Sequence, residues 1–317
     1  MKRCMVVLSC VVVLSSAGRA TACDLCAVYL AGEARESRPG WFVGVAEQYS
    51  HFRDWREDGE RVPNEDGEFL DSLITQGVVG YRFNRRVGVQ INVPVICREY
   101  RRVVEHGLER GRESGVGDVS VMARCRVAEK VGQETMAVLD VFAGLKLPTG
   151  DSDRLAEEAE HEEGQHEHPS GVHGHDLALG SGSVDGIVGV AALAEWRRLF
   201  VAGQVQYVIR TEGDFDYRYA HDLLWSGGPG VFVWLGHGGS LAVQVVVSGE
   251  WKEKDELSGE KVDDTGLTAV YIGPAVLLTV GERFNAEFAV DLPVMQETTG
   301  LQIVPDCRVR AGVTWRL

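Results

Sequence analysis

Val87, Val89, Ile91, Val93 and Val95 alternate with Gly88, Gln90, Asn92 and Pro94, and the same alternation recurs along most of the chain. Ala137, Leu139, Val141, Ala143, Leu145 and Leu147 form an apolar row opposite Asp140 and Lys146. Leu241, Val243, Val245 and Val247 oppose Ala242, Gln244 and Ser248. Phe284, Ala286, Phe288, Val290 and Leu292 oppose Asn285, Glu287 and Asp291. Val309, Ala311, Val313, Trp315 and Leu317 oppose Arg308, Arg310, Thr314 and Arg316. Neighbouring side chains of a strand point to opposite faces, so a dry face against a charged one with period two specifies strands, not helices. A high glycine count (38) with few prolines (9) fits strands joined by tight turns.

Twelve segments carry the pattern: Gly40–Phe52, Phe69–Phe83, Val87–Arg101, Gly117–Ala128, Thr135–Leu147, Gly182–Trp196, Leu199–Thr211, Ala220–Leu235, Ser240–Lys252, Gly266–Val280, Phe284–Met295 and Asp306–Leu317. Short connections (Asn84–Arg86, Glu129–Glu134, Arg197–Arg198, Gly236–Gly239, Gly281–Arg283) alternate with longer ones (Arg53–Glu68, Arg102–Val116, Pro148–Ser181, Glu212–Tyr219, Glu253–Thr265, Gln296–Pro305). The dry face could meet a protein core, as in a soluble β-protein, or lipid. Strict alternation of loop length favours lipid, because outer-membrane barrels keep short periplasmic turns and long external loops. The expected fold is all-β: a transmembrane up-and-down antiparallel β-barrel of about 12 strands with a narrow lumen. Trp41, Phe52, Phe69, Tyr81, Phe83, Tyr100, Trp196, Trp225, Trp234, Trp251 and Trp315 fall near strand ends, as interfacial girdles do.

Lys2 and Arg3 precede the apolar run Cys4–Leu14, and Ala20-Thr21-Ala22 supplies small residues for cleavage, so residues 1–22 read as a secretory signal. Residues 23–38 read as a periplasmic segment and 39–317 as the barrel. No other stretch reaches the roughly 18 apolar residues of a spanning helix. The expected location is the bacterial outer membrane, with lipid, lipopolysaccharide and the barrel-assembly machinery as partners. A formal charge of −15 with no basic run excludes nucleic acid. G-x-S-x-G and H-E-x-x-H are absent and no nucleophile pairs with a base, so no enzyme activity is expected.

Three glycine-rich motifs occur in order: Gly115–Val119 (GVGDV), Lys146–Asp151 (KLPTGD) and Leu179–Asp185 (LGSGSVD). Turn chemistry suffices to explain each. In that order and spacing the chain also resembles the outer-membrane proteins associated with the phenol meta-degradation pathway, a family labelled as transporters. The resemblance spans most of Trp41–Leu317. It implies an outer-membrane barrel passing small hydrophobic or aromatic compounds, and supplies no catalytic residues.

If dry faces meet lipid, wet faces line a lumen. Its expected lining includes Arg98, Arg124, Arg126, Asp140, Lys146, Glu195, Gln204, Gln206, Arg210, Gln244, Asn285, Glu287, Asp291, Arg308, Arg310 and Arg316. Cross-strand ion pairs would rigidify or plug it. The connection 148–181 holds five of the nine histidines, His161, His166, His168, His173 and His175, among many carboxylates. Its composition predicts a mobile, solvated external loop. Each H-x-H pair could offer two nitrogens to zinc or copper, so a metal-capturing surface protein with the barrel as scaffold is one alternative function, and a soluble periplasmic β-protein is the other. Cys23 and Cys26 form a C-x-x-C suited to a disulfide or a metal, and cleavage before Cys23 could instead be a lipoprotein event. Cys97, Cys125 and Cys307 fall on dry faces, and a Cys97–Cys125 bridge would depend on cross-strand register.

Overall fold

The computed structural model describes residues 38–104, 107–161 and 170–317. The expected signal, Cys23, Cys26, His166 and His168 lie outside the described residues, as does the side chain of His161. Twelve barrel positions follow one another in chain order. They are β1 (Gly40–Glu57), β2 (Phe69–Arg82), β3 (Val87–Val104), β4 in two pieces (Gly107–Val116 and Ser120–Val131), β5 (Thr135–Lys146) and β6 (Asp185–Trp196). Then come β7 (Leu199–Ile209), β8 (Asp222–Gly236), β9 (Gly239–Lys252), β10 (Leu267–Val280), β11 (Phe284–Thr298) and β12 (Leu301–Arg316). Every neighbour pair is antiparallel, and β12 returns to β1 with Phe42 opposite Arg316 and Val45 opposite Val313. The ring is therefore closed, and its wall leaves no sheet edge along the main ladder.

The side-chain orientation fixes the solvent of each face. Val89, Ile91, Val93 and Val95 of β3 are exposed, whereas Asn92, Ile96 and Arg98 at the alternate positions are buried. The same holds on β5, where Leu139, Val141 and Leu145 point out and Asp140 and Lys146 point in. Aliphatics on the outside and charges within are the inverse of a water-soluble barrel and the arrangement of an outer-membrane one. Among the described residues no helix is long and apolar enough to cross a membrane. Trp41, Phe83, Trp196, Trp234 and Trp315 stand exposed at the short-turn end, where Tyr81 meets Trp41 and Phe83 edge to face. Tyr100 departs from the expected girdle: it is buried inside the barrel.

Two of the expected long connections are instead wall. Gly107–Val116 pairs with the upper part of β3, and β12 begins at Leu301, with only two residues between it and the end of β11 at Thr298. Gly107–Val116 carries Arg110 and Arg112 on one face and Glu109 and Glu113 on the other, without the wet–dry alternation that marks a spanning strand. By contrast β5, β6 and β7 stop after 12, 12 and 11 residues. The rim is consequently tall on the β1–β4 and β11–β12 side and low between β5 and β7. The cross-strand register rules out a Cys97–Cys125 bridge. Cys97 lies opposite Leu73 and Ser114, whereas Cys125 lies opposite Val87, ten residues lower on β3. None of Cys97, Cys125 and Cys307 is in a disulfide among the described residues, and Cys307 is buried.

Candidate functional site

Inward positions of the strands carry ion pairs that staple neighbours together. Asp140 of β5 accepts from Arg124 Nε and Arg126 Nε of β4, each at 3.0 Å. Asp291 of β11 receives Arg310 of β12 through Nε (2.7 Å) and Nη2 (3.2 Å), with Glu287 3.9 Å from the same guanidinium. Arg308 meets Glu250 at 3.1 Å and lies 4.1 Å above the Tyr271 ring. Two-pronged arginine–carboxylate contacts of this kind fix strand register as well as charge. Arg98 and Arg316 are buried on the inner face, and Glu195 takes the inward position after Leu193 on β6. Lys146 and Arg210 are likewise buried at inward positions of β5 and just past the end of β7.

The expected wet lining is not uniform. Inward positions from β5 to β9 also hold Val138, Leu193, Phe200, Ala202, Phe232 and Ala242, which pack together near the short-turn end. Above them Met122, Phe142, Ile187, Ala191 and Val208 form a second apolar cluster. Alternation reports that one face is apolar; it says nothing against large apolar residues on the other. The interior therefore carries an apolar wall of two clusters on β4–β9, interrupted by the Asp140 ion pairs and the Lys146 network, beside the ionic contacts of β11–β12.

The three glycine-rich motifs converge on one buried network, more than the turn punctuation that sequence alone required. Lys146 Nζ reaches Asp118 (2.9 Å), Asp185 (2.7 Å) and Ser181 (2.7 Å). Asp185 also faces Arg210 at 3.1 Å, and Arg210 continues to Asp222. Asp118 occupies the break in β4, where Val119 N donates to Thr149 Oγ1 (2.8 Å) and that hydroxyl donates to the Gly117 carbonyl (2.9 Å). Gly150 and Gly180 let two backbones touch: a Cβ on Gly180 would lie 2.6 Å from the Gly150 carbonyl oxygen.

The acidic, histidine-bearing connection is folded where it is described, which corrects the expectation of a solvated loop. It contains α1 (Ala156–His161) and α2 (Gly174–Leu177). Its few apolar residues explain why. Leu155 and Ala178 are buried against Tyr217, Tyr219 and Leu257, while Val172 and Leu177 are buried against Trp55, Leu70, Tyr100 and Ile303. Those partners belong to opposite parts of the rim, so the segment lies across the long-loop mouth as a cap. Polar anchors add to it. Glu68 accepts from Ser170 Oγ and Gly171 N (both 2.9 Å), and Ile303 N donates to the Gly171 carbonyl (3.0 Å). Arg154 pairs with Glu113 and Glu157, and Arg102 reaches Glu157 at 2.8 Å.

Inside the cap, His175 Nδ1 lies 3.0 Å from Glu158. Burial disfavours charge on both, yet Asp176 and Glu158 hold His175 up at about 9, and His175 holds Glu158 down to about 2. His173 stacks on His175 with ring centroids 5.4 Å apart. Of the five expected histidine ligands, these two are brought together.

No protein-family model and no curated protein matches the sequence. Among solved structures, the chain is similar to an outer-membrane channel from Pseudomonas putida F1, with TM-score 0.62 and 15% identity over 88% of this chain and 96% of that one. The translocator domain of the autotransporter NalP from Neisseria meningitidis matches with TM-score 0.42 and 9% identity over 90% and 91%. A Pseudomonas aeruginosa FadL homologue matches with TM-score 0.38 and 9% identity over 87% and 90%. The first likeness shows the fold: this chain has the architecture of bacterial outer-membrane β-barrels.

Proposed function

We propose that this chain is an outer-membrane channel for small solutes that carry both an apolar, typically aromatic, body and a polar group, with the cap setting how often the mouth is open. The observation that carries the reading is the mixed interior, in which apolar clusters and ion pairs share the inward face. Phe142, Ile187, Phe200 and Phe232 supply apolar side chains to the inward face, and Arg308, Arg310, Glu287 and Asp291 supply ionic partners. The motif resemblance to the phenol-pathway transporters and the fold of the Pseudomonas putida channel support the same reading. Passage proceeds by partitioning along the apolar wall, without chemistry on the solute.

The test is flux into proteoliposomes of an aromatic acid and of a sugar of similar size, for wild type, Leu177→Ala (cap loosened) and Phe200→Ser (apolar wall broken). Flux of the aromatic acid should exceed that of the sugar, rise in Leu177→Ala and fall several-fold in Phe200→Ser. Equal permeation by both solutes, or none in any variant, rejects the reading.

A further inference from the structure

The two histidines of the cap have a geometry that ion pairing alone does not explain. Asp176 lies 3.6 Å from His175 Nε2 and 3.9 Å from His173 Nδ1. Both separations are too long for hydrogen bonds. They are close to the edge of a tetrahedron around zinc, about 3.4 Å when ligands sit at about 2.1 Å. One donor atom from each of His173, His175 and Asp176 lies within 4.8 Å of the others. His173 Nδ1 is buried and has no hydrogen-bond partner.

The opposite edge of each ring is held by a different carboxylate. His175 Nδ1 is 3.0 Å from Glu158, and His173 Nε2 is 3.2 Å from Asp264. An imidazole that ligates a metal through one nitrogen almost always presents its other nitrogen to a carboxylate, carbonyl or water, which fixes ring orientation and ligand basicity. Here both rings have that support, and the nitrogen left over on each lies near the Asp176 carboxylate. We infer that His173 Nδ1, His175 Nε2 and the Asp176 carboxylate bind one divalent transition-metal ion of the zinc class, with water completing the shell. Two nitrogens and one carboxylate form a borderline donor set that suits zinc, copper or nickel over magnesium or calcium. Binding displaces protons from the imidazoles, as at any histidine site.

The placement gives the ion a task. His173, His175, Asp176 and Glu158 belong to the cap, whereas Asp264 belongs to the connection between β9 and β10 on the rim. An ion that orients His173 against Asp264 ties the cap to the wall. The binding claim stands apart from the identity of the solute, because it is read without any flux measurement.

The experiment is calorimetric titration of zinc into chelator-stripped, detergent-solubilised full chain, repeated with cobalt and visible spectroscopy. Heat-modifiable gel migration verifies a folded barrel in every variant. Wild type should bind one equivalent and give a tetrahedral cobalt spectrum. His173→Ala should abolish both. Asp264→Asn, which leaves the three ligands intact, should weaken binding by about ten- to hundredfold. A variant with His166→Ala and His168→Ala should bind as wild type. Absence of saturable binding, undiminished binding by His173→Ala, or loss only in the His166/His168 variant overturns the inference.

Discussion

Leu177→Ala is the sharpest probe of the cap, because Leu177 is fully buried and its neighbours Trp55, Leu70, Tyr100 and Ile303 all belong to the wall. Truncation removes three buried carbons from a contact between two separately built surfaces. A buried leucine-to-alanine change costs about 3 kcal/mol at the lower end of its range, appropriate where a small cap can partly settle into the void. At one decade per 1.4 kcal/mol, the population of undocked caps should rise about a hundredfold. Arg154 supplies the readout. It is held by Glu113, Glu157 and the Tyr100 hydroxyl, so trypsin reaches the Arg154–Leu155 bond only when the cap lifts. When opening is fast relative to cleavage, the cutting rate follows the open population. Cleavage at 154–155 should therefore accelerate by about two orders of magnitude in Leu177→Ala. Cutting at the exposed Arg61 should stay constant and serves as internal control. An unchanged rate at Arg154 beside an unchanged control would refute the docking of the cap through this contact.

Three further outcomes follow from the same geometry. Lys146→Met leaves Asp118 and Asp185 buried together without the ammonium between them, and should cost about 3–5 kcal/mol, read as a lower urea midpoint for loss of heat-modifiable migration. Gly180→Ala drives a Cβ to 2.6 Å from the Gly150 carbonyl and 2.7 Å from Asp118 Oδ1, so it should lower the same midpoint by about 1–3 kcal/mol in a barrel with every charge retained. In chelator-stripped protein, protection of Arg154 should depend on pH from both sides. His175 is raised from 6.5 to about 9, so its contribution is complete below 6.5 and lost as pH climbs through 9; Glu158 is lowered from 4.5 to about 2, so its contribution is complete above 4.5 and lost as pH falls toward 2. Asp176 supports the imidazolium, and Lys252 opposes it. Tryptic cutting at Arg154, corrected for the pH dependence at Arg61, should be slowest at the acid end of the working range and rise toward pH 9.

The wall was legible in the sequence because lipid imposes a rule on alternate positions: Val89, Ile91, Val93 and Val95 must be dry, whatever lies across the sheet. Where lipid ends, the rule ends. Gly107–Val116 is strand with charged residues on both faces, so its pattern resembles a loop. The inner face was legible in its charges, since Arg124, Arg126 and Asp140 recur at inward spacing. The apolar wall was not, because Phe200 and Phe232 follow aliphatic or aromatic neighbours and break no rule that alternation imposes. The cap was hidden for a different reason. Four apolar anchors, Leu155, Val172, Leu177 and Ala178, are diluted by carboxylates and histidines, and their partners Tyr100, Tyr217 and Ile303 are remote in sequence.

The break in β4 explains why the cap and the buried network occur together. Its upper piece, Gly107–Val116, pairs with β3 alone, since β5 ends at Lys146 and does not rise beside it. An unpaired edge at the rim invites adventitious pairing unless something covers it. The cap does so: Arg154 pairs with Glu113 on that piece, and Leu179 packs so closely that a Cβ on Gly115 would lie 2.9 Å from its Cδ1. The chain that covers the edge must first leave the top of β5 and return to the top of β6. Lys146 and Asp185 mark those two points, and Asp118 at the break completes the contact. One buried ammonium therefore joins the root of the cap to the strand it shields. It follows that excising residues 153–178 should harm the barrel more than loosening them does. The shortened chain should aggregate through the bared edge in detergent, whereas Leu177→Ala stays monodisperse, as size-exclusion chromatography of the two variants would reveal; equal behaviour would mean that the edge needs no cover.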